Sequence, residues 1–199
     1  MEKEIYGRIL ENDSIIISRH KSPDLDAYGS QFGLYHSLKE AFPNKKIYIV
    51  GDTNKLNTFG TFDNVDKETL NKSLLFILDT VAGQMLLENL YDDAKEVILI
   101  DHHQNQPDVR FDLYLRQTDA SSTSEIIAYL LKNNQLPINQ ESARALFMGI
   151  VGDTGRFLYS SAKPRTFRIV ADLLETGFNM SDIYNDMYTE TLASKQMKA

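Results

Sequence analysis

Glu96-Val97-Ile98-Leu99-Ile100-Asp101-His102-His103 is the stretch on which the reading of this chain turns. Its apolar run, Val97 to Ile100, has the length and β-branched content of a buried strand. The run stops at three polar residues that an interior accepts only when they are partnered. In parallel α/β sheets ligands bind beyond the C-terminal ends of the strands. Asp101, His102 and His103 therefore fall where such a sheet places its chemistry. A plain polar turn is the alternative, and the other apolar runs of the chain decide between the two.

Three further runs end in the same manner. Ser14 to Ser18 reads as a buried strand leading into Arg19-His20-Lys21-Ser22-Pro23-Asp24-Leu25-Asp26, a polar loop in which Pro23 interrupts regular structure. Leu74 to Leu78 reads as a strand closed by Asp79-Thr80. The helical pattern that begins at Asn139, an N-capping residue, carries Ala143, Leu146, Phe147 and Ile150 inward and runs into Gly149-Ile-Val-Gly-Asp153-Thr-Gly. Between these lie a helix over roughly Ala27 to Ala41, a strand over Lys46 to Val50, and a polar stretch from Thr53 to Lys72 read as loop with one turn of helix. Gln84 to Tyr91 reads as helical, Arg110 to Arg116 as an alternating edge strand, and Ser124 to Lys132 as a helix capped by the hydroxyl-rich Thr118 to Ser124. Lys163 to Glu175 and Ser181 to Tyr188 follow as helices. Strands alternating with helices predict an α/β domain, a mainly parallel β-sheet sandwiched by helices.

A chain of 199 residues suits one large domain that buries a core without staples. It contains no Cys, which excludes disulfides and thiolate metal sites and fits a reducing compartment. Met1-Glu-Lys-Glu-Ile lacks the apolar centre of a signal peptide, and no run reaches transmembrane length. The expectation is a soluble, cytoplasmic protein without a membrane partner. A formal charge of -7 argues against a surface that coats long polynucleotides. A compact anionic substrate is compatible with it if local cations offset the acidity.

The residues at the segment ends supply a reason for such cations. His20, Asp24 and Asp26, then Asp79, then Asp101, His102 and His103, then Asp153 would converge at one sheet edge. Carboxylates gathered there repel strongly in a low dielectric. Oxygen and imidazole donors without sulfur suit Mn²⁺, Mg²⁺, Co²⁺ or Zn²⁺. The donor number exceeds what one ion takes, and two ions about 3.5–4 Å apart would use it. Taken singly, Asp24 and Asp26 also read as helix caps, Asp153 as a turn residue, and Ser121 to Ser124 as a cap. His36 reads as structural, and Asp52 and Asp119 as turn residues.

The ordered set His20-x-x-x-Asp24-x-Asp26, Asp79, Asp101-His102-His103 and Asp153 resembles the four motifs of the DHH phosphoesterase superfamily, whose fold is Rossmann-like. That superfamily spans RecJ exonucleases, family II pyrophosphatases, cyclic-dinucleotide phosphodiesterases and bacterial oligoribonucleases (nano-RNases) that are also pAp phosphatases. Pro23-Asp-Leu-Asp-Ala-Tyr-Gly-Ser-Gln, Ser121-Ser-Thr-Ser-Glu and Gly149-Ile-Val-Gly-Asp-Thr-Gly-Arg-Phe are most similar to the last group. The resemblance covers about Ile5 to Tyr188.

The resemblance implies roles. His20, Asp24 and Asp79 would hold one ion, and Asp26, Asp79, His102 and Asp153 the other, with Mn²⁺ the expected metal. Asp101 would orient a histidine, and His103 would meet the substrate phosphate with help from Arg156. Ser121 and Ser122 would contact substrate. The implied activity is hydrolysis of short oligoribonucleotides or of 3′-phosphoadenosine-5′-phosphate (pAp). Cyclic or linear dinucleotides, pyrophosphate, or metal and nucleotide binding without catalysis are the alternatives. The expected partner is a small nucleotide, and a homodimer is left open. Residues 1–188 would form the DHH domain and 189–199 the start of a linker. Nothing in the chain resembles the second domain of these relatives, with its Gly-Gly-Gly-His motif.

Overall fold

The computed structural model describes residues 1–52, 62–87 and 90–185. The first element is one that the sequence reading passed over. Helix α1, Glu2–Glu11, buries only Ile5 and Ile9, one turn apart, so its apolar stripe is two residues wide. An ion pair from Arg8 to Glu96 at 3.1 Å fixes it beside the sheet.

Five strands make one sheet: β1 Ser14–Ser18, β2 Lys46–Val50, β3 Leu74–Leu78, β4 Glu96–Asp101 and β5 Leu113–Arg116. Their order is β2-β1-β3-β4-β5 and every pairing is parallel. β3 and the apolar part of β4 are buried on both faces, which is why they read as unbroken apolar runs. β5 is an edge strand as expected, but only the last four residues of the Arg110 to Arg116 alternation join the ladder.

Alternate strand residues feed two cores. Ile15, Ile17, Leu74, Phe76, Ile98 and Ile100 face α1, α2 (Leu25–Ala41), α5 (Thr123–Asn133), α6 (Gln140–Asp153) and α7 (Pro164–Leu174). Ile16, Leu75, Ile77, Val97 and Leu99 face the thinner layer that carries the one-turn helices α3 (Lys67–Leu70) and α4 (Leu90–Asp93). α3 is the single turn anticipated between Thr53 and Lys72, where residues 53–61 lie outside the described ones.

The segment from Gln84 to Tyr91 is not the helix expected of it. Its described residues hold the end of a 3₁₀ turn, Gly83–Met85, and the start of α4, while residues 88 and 89 lie outside the described ones. Its carbonyls are used elsewhere: Gln84 O accepts from Lys21 Nζ at 3.1 Å, and Met85 O from Lys21 N at 2.6 Å. The segment thereby braces the loop that follows β1. Residues 180–185 are helical, and the remainder of the expected Ser181 to Tyr188 helix and of the linker lies outside the described residues.

α2 is buried on nearly all sides, which blurred its stripe in the sequence. Its close partner is α6. A Cβ on Gly29 would lie 2.7 Å from Ala145 O and 2.8 Å from Gly149 Cα, so the two backbones meet there. That contact brings the end of α6 beside the start of α2.

Candidate metal centre

The strand order reverses between β1 and β3, and a crevice opens beyond their C-terminal ends. His20 follows β1, Asp79 follows β3, and His102 follows β4. Asp24 and Asp26 enter from the N-terminus of α2, and Asp153 from the C-terminus of α6. The sheet edge and the α2–α6 contact thus assemble all six residues expected at a metal.

Asp79 lies at the middle of them and is 4 % exposed. Its Oδ2 is 3.6 Å from His20 Nε2, and its Oδ1 is 3.7 Å from His102 Nε2. His20 Nε2 is also 3.9 Å from Asp24 Oδ1. His102 Nε2 is 3.1 Å from Asp153 Oδ2 and 4.0 Å from Asp26 Oδ2. Two donor groups result, His20–Asp24–Asp79 and Asp26–His102–Asp153, each with one ligand atom per residue within 4.8 Å of the others. Asp79, His102 and His103 form a third overlapping group.

The donor chemistry fits divalent ions. His20 Nδ1 donates to Lys21 O at 2.7 Å, which fixes the tautomer and leaves Nε2 with its lone pair toward the carboxylates. His102 Nε2 is buried and makes no hydrogen bond although three carboxylates surround it. A nitrogen left so among oxygens is placed as a metal ligand would be. Asp79 has φ 62°, a left-handed conformation that costs energy outside glycine and clusters at functional sites.

The carboxylates alter one another. Burial pushes Asp26 up from 3.8 to about 6, and the Asp153 charge adds to this, while His102 and hydrogen bonds from Ser124 oppose it. Burial, with Asp26, Asp24 and Asp153 nearby, raises Asp79 well above the usual range. Burial alone would lower His102, but its contact with Asp153 and the charges of Asp26, Asp153 and Asp101 outweigh that and raise it.

Asp101 stands outside the two donor groups. It is fully buried, and its Oδ1 accepts from His103 Nδ1 at 2.8 Å while Oδ2 accepts from His103 N at 3.2 Å. That hydrogen bond raises the His103 pKa and occupies Nδ1 of a half-exposed ring. Arg116 secures the same loop by donating from Nε to His103 O at 3.1 Å and from Nη2 to Gln104 O. Arg156 follows Asp153 by three residues, at φ 62°.

Ser121 and Ser122 do not meet the expectation of substrate contact. Both are buried. Ser121 Oγ donates to Glu125 Oε2 at 2.6 Å, and Ser122 Oγ accepts from Glu125 N as the N-cap of α5. Their hydroxyls are consumed by the cap. The residue of that run that reaches the centre is Thr123, whose Oγ1 donates to Asp79 Oδ1 at 3.0 Å. Thr123 N and Ser124 N donate to Asp26 Oδ2 and Oδ1 at 2.7 and 2.8 Å, aiming a helix N-terminus at a carboxylate.

Arg19 was also passed over. It is buried, donates from Nε and Nη2 to Asp52 O at 3.0 and 2.6 Å and from Nη1 to Gln31 Oε1, and lies over the Tyr28 ring. Gln31 in turn donates to Ile17 O and Val50 O at 2.6 and 2.8 Å. The ends of β1 and β2 are clamped beside His20. Only its place next to His20 hinted at this, since nothing in a sequence marks an arginine as buried.

Fold and site together define a class: α/β proteins that gather aspartate and histidine at the C-terminal edge of a parallel sheet. The DHH family, N-terminal domain, matches residues 14–150, and the chain belongs to that family. It is 36 % identical over 196 residues to the bifunctional oligoribonuclease and PAP phosphatase NrnA of Bacillus subtilis (strain 168), covering 96 % of this chain and 62 % of that protein. It is 37 % identical over 186 residues to the probable bifunctional oligoribonuclease and PAP phosphatase NrnA of Streptococcus mutans, covering 93 % and 60 %. The crystal structure of an exopolyphosphatase-related protein from Bacteroides fragilis superposes with a TM-score of 0.82 at 25 % identity, over 94 % of this chain and 60 % of that one. The chain spans about three fifths of the length of these relatives. Among the described residues no helix is long and apolar enough to cross a membrane.

Proposed function

We propose that this chain is the dinuclear metal core of a phosphoesterase that hydrolyses short oligoribonucleotides and pAp, with Mn²⁺ as its working ion. The observation that carries this reading is the pair of donor groups lying side by side beyond the ends of three neighbouring strands, with Asp79 of one group 3.7 Å from His102 of the other. His20, Asp24 and Asp79 hold one ion; Asp26, Asp79, His102 and Asp153 hold the other. The names of the two curated relatives support the choice of substrate. When bound, the ions supply Lewis acidity toward a phosphate ester and toward water.

The remaining residues prepare the phosphate's side of the site. Asp101 holds His103 Nδ1–H, so that Nε2 is the atom presented to a phosphoryl or leaving-group oxygen. Arg116 keeps the His103–Gln104 peptides in place, which limits rotation of the ring's backbone anchor. Arg156 offers its guanidinium to the phosphate charge. Residues 1–188 act as the catalytic domain.

The test is elemental analysis of the chain dialysed against Mn²⁺, followed by supply of pAp and a ribodinucleotide. Two ions per chain with release of phosphate or mononucleotide supports the reading. Two ions with hydrolysis of a cyclic dinucleotide or pyrophosphate alone would move the substrate within the family. Two ions without any hydrolysis would leave a binding module, and no ion would overturn the proposal.

A further inference from the structure

We infer that Thr123 is a positioning residue that sets the two buried carboxylates of the centre relative to each other, an inference that rests on the dinuclear reading above. One residue holds both. Its backbone N–H donates to Asp26 Oδ2 at 2.7 Å, and its hydroxyl donates to Asp79 Oδ1 at 3.0 Å. Thr123 is the first residue of α5, so its N–H has no partner within the helix and is available for this. Its branched Cβ restricts χ1, and full burial holds the hydroxyl in one direction.

Asp79 needs such a restraint. Its Oδ2 faces His20 and its Oδ1 faces His102, so a turn of the carboxylate plane about χ2 would take both oxygens off the line between the two donor groups. The Thr123 hydrogen bond holds one oxygen of the pair and so fixes the plane of the carboxylate. The hydroxyl still has lone pairs but only one proton, and that proton is committed to a carboxylate that must accept.

The helix start is itself fixed from behind. Glu125, buried, accepts from Ser121 Oγ at 2.6 Å and Thr166 Oγ1 at 2.7 Å on Oε2, and its Oε1 is 2.6 Å from Arg165 Nε. The 117–122 loop, α5 and the start of α7 are thereby tied together under Thr123. Ser121 and Ser122 serve this cap, Ser124 N shares the Asp26 carboxylate with Thr123 N, and the Thr123 hydroxyl is the group that turns to Asp79.

The decisive variants are Thr123→Ser and Thr123→Ala in the 199-residue chain, because they differ from each other only by the hydroxyl. Two readouts are needed: Mn²⁺ titration by calorimetry, and the melting temperature of each chain after treatment with chelator. The expected result is near wild-type Mn²⁺ affinity in Thr123→Ser and an affinity about 10- to 100-fold weaker in Thr123→Ala. Equal Mn²⁺ affinity in the two variants would overturn the inference, whatever their melting temperatures. A purely structural threonine would lower the melting temperature of both variants and leave the affinity of any folded fraction unchanged. A wild-type chain that binds no Mn²⁺ would overturn the dinuclear reading and this inference together, whereas two ions in both variants at wild-type affinity would overturn this inference alone.

Discussion

Raising the pH should destabilise the chain that has been stripped of divalent ions by chelator, and should not destabilise the ion-loaded chain. The cause lies in Asp26, buried and facing Asp153, whose pKa stands at about 6 against an ordinary 3.8. Between those values the native chain keeps a proton that the unfolded chain has released. Stability therefore falls as pH rises, since the native state binds more protons. The contribution is fully present below 3.8 and is lost as the pH passes about 6. The interval, at about 1.4 kcal/mol per pH unit, corresponds to about 3 kcal/mol. Asp79, His102 and His103 are all raised as well, so each loses stability in the same direction. For a chain of this size about 3 kcal/mol is roughly 6–12 °C in melting temperature.

Ion binding has the opposite slope. The ligands must be deprotonated before they coordinate, so the stabilisation by Mn²⁺ grows with pH. At an ion concentration of about 100 Kd each site adds about 2.7 kcal/mol. Calorimetric melts between about pH 4 and about pH 7, in chelator and in Mn²⁺, should therefore give two curves that diverge. A melting temperature in chelator that stays level or rises across this window would refute the reasoning, because it would mean that the carboxylates are not held together at the expense of the fold.

The assignment of Asp79 is checked by contrast with His103: Asp79→Ala should release both ions together, while His103→Gln should keep both ions and lower turnover. Retention of two ions by Asp79→Ala, measured by elemental analysis, would remove Asp79 as the shared ligand. Arg19→Met takes a guanidinium away from Asp52 O and Gln31 Oε1 and should cost roughly 2–4 kcal/mol in denaturant melts. Gly29→Ala forces a Cβ against the Ala145 carbonyl, where backbone and not a flexible side chain must yield, and should cost roughly 1–3 kcal/mol. Unchanged melting of either variant would show that the strand-end clamp or the α2–α6 approach is looser than these contacts imply.

What was legible in the sequence follows from what sequence patterns encode. Val97 to Ile100 and Leu74 to Leu78 are doubly buried, so their apolar runs had no competing explanation, and the polar residues closing them had to belong to the sheet's C-terminal edge. Order along the chain then placed His20, Asp79, His102 and Asp153 in one crevice. α1 was missed because two isoleucines make too thin a stripe. Gln84 to Tyr91 was misread because its backbone carbonyls serve Lys21, a partner 63 residues away in the case of Gln84 O, and periodicity cannot register such a contact. The hydroxyl run caps α5 as its composition predicts, but the sequence did not show which member would turn to the carboxylates. Ser121 and Ser122 face the cap, and Thr123 faces the centre; helical phase at an N-terminus turns by 100° per residue, and a motif does not say which residue points where.

The same residues that assemble the carboxylates also bear the cost of assembling them, and this links folding to ion binding. Asp79 is held in a strained left-handed conformation and Asp26 in a dry site facing Asp153. Against this the fold sets the N-terminus of α5, whose two N–H groups meet Asp26, the Thr123 hydroxyl on Asp79, and the Arg19 clamp beside His20. The N–H groups of α5 favour the Asp26 charge in part, but burial and repulsion from the neighbouring Asp153 outweigh them, and Asp26 stays raised. Cations are the remaining partner that lowers that repulsion directly. Loss of the Thr123 hydroxyl should therefore register first as a change in ion affinity, and in melting temperature chiefly when ions are present, whereas loss of the buried Arg19 clamp also costs the fold directly. That ordering distinguishes a scaffold built around a metal centre from an acidic crevice that happens to lie at a sheet edge.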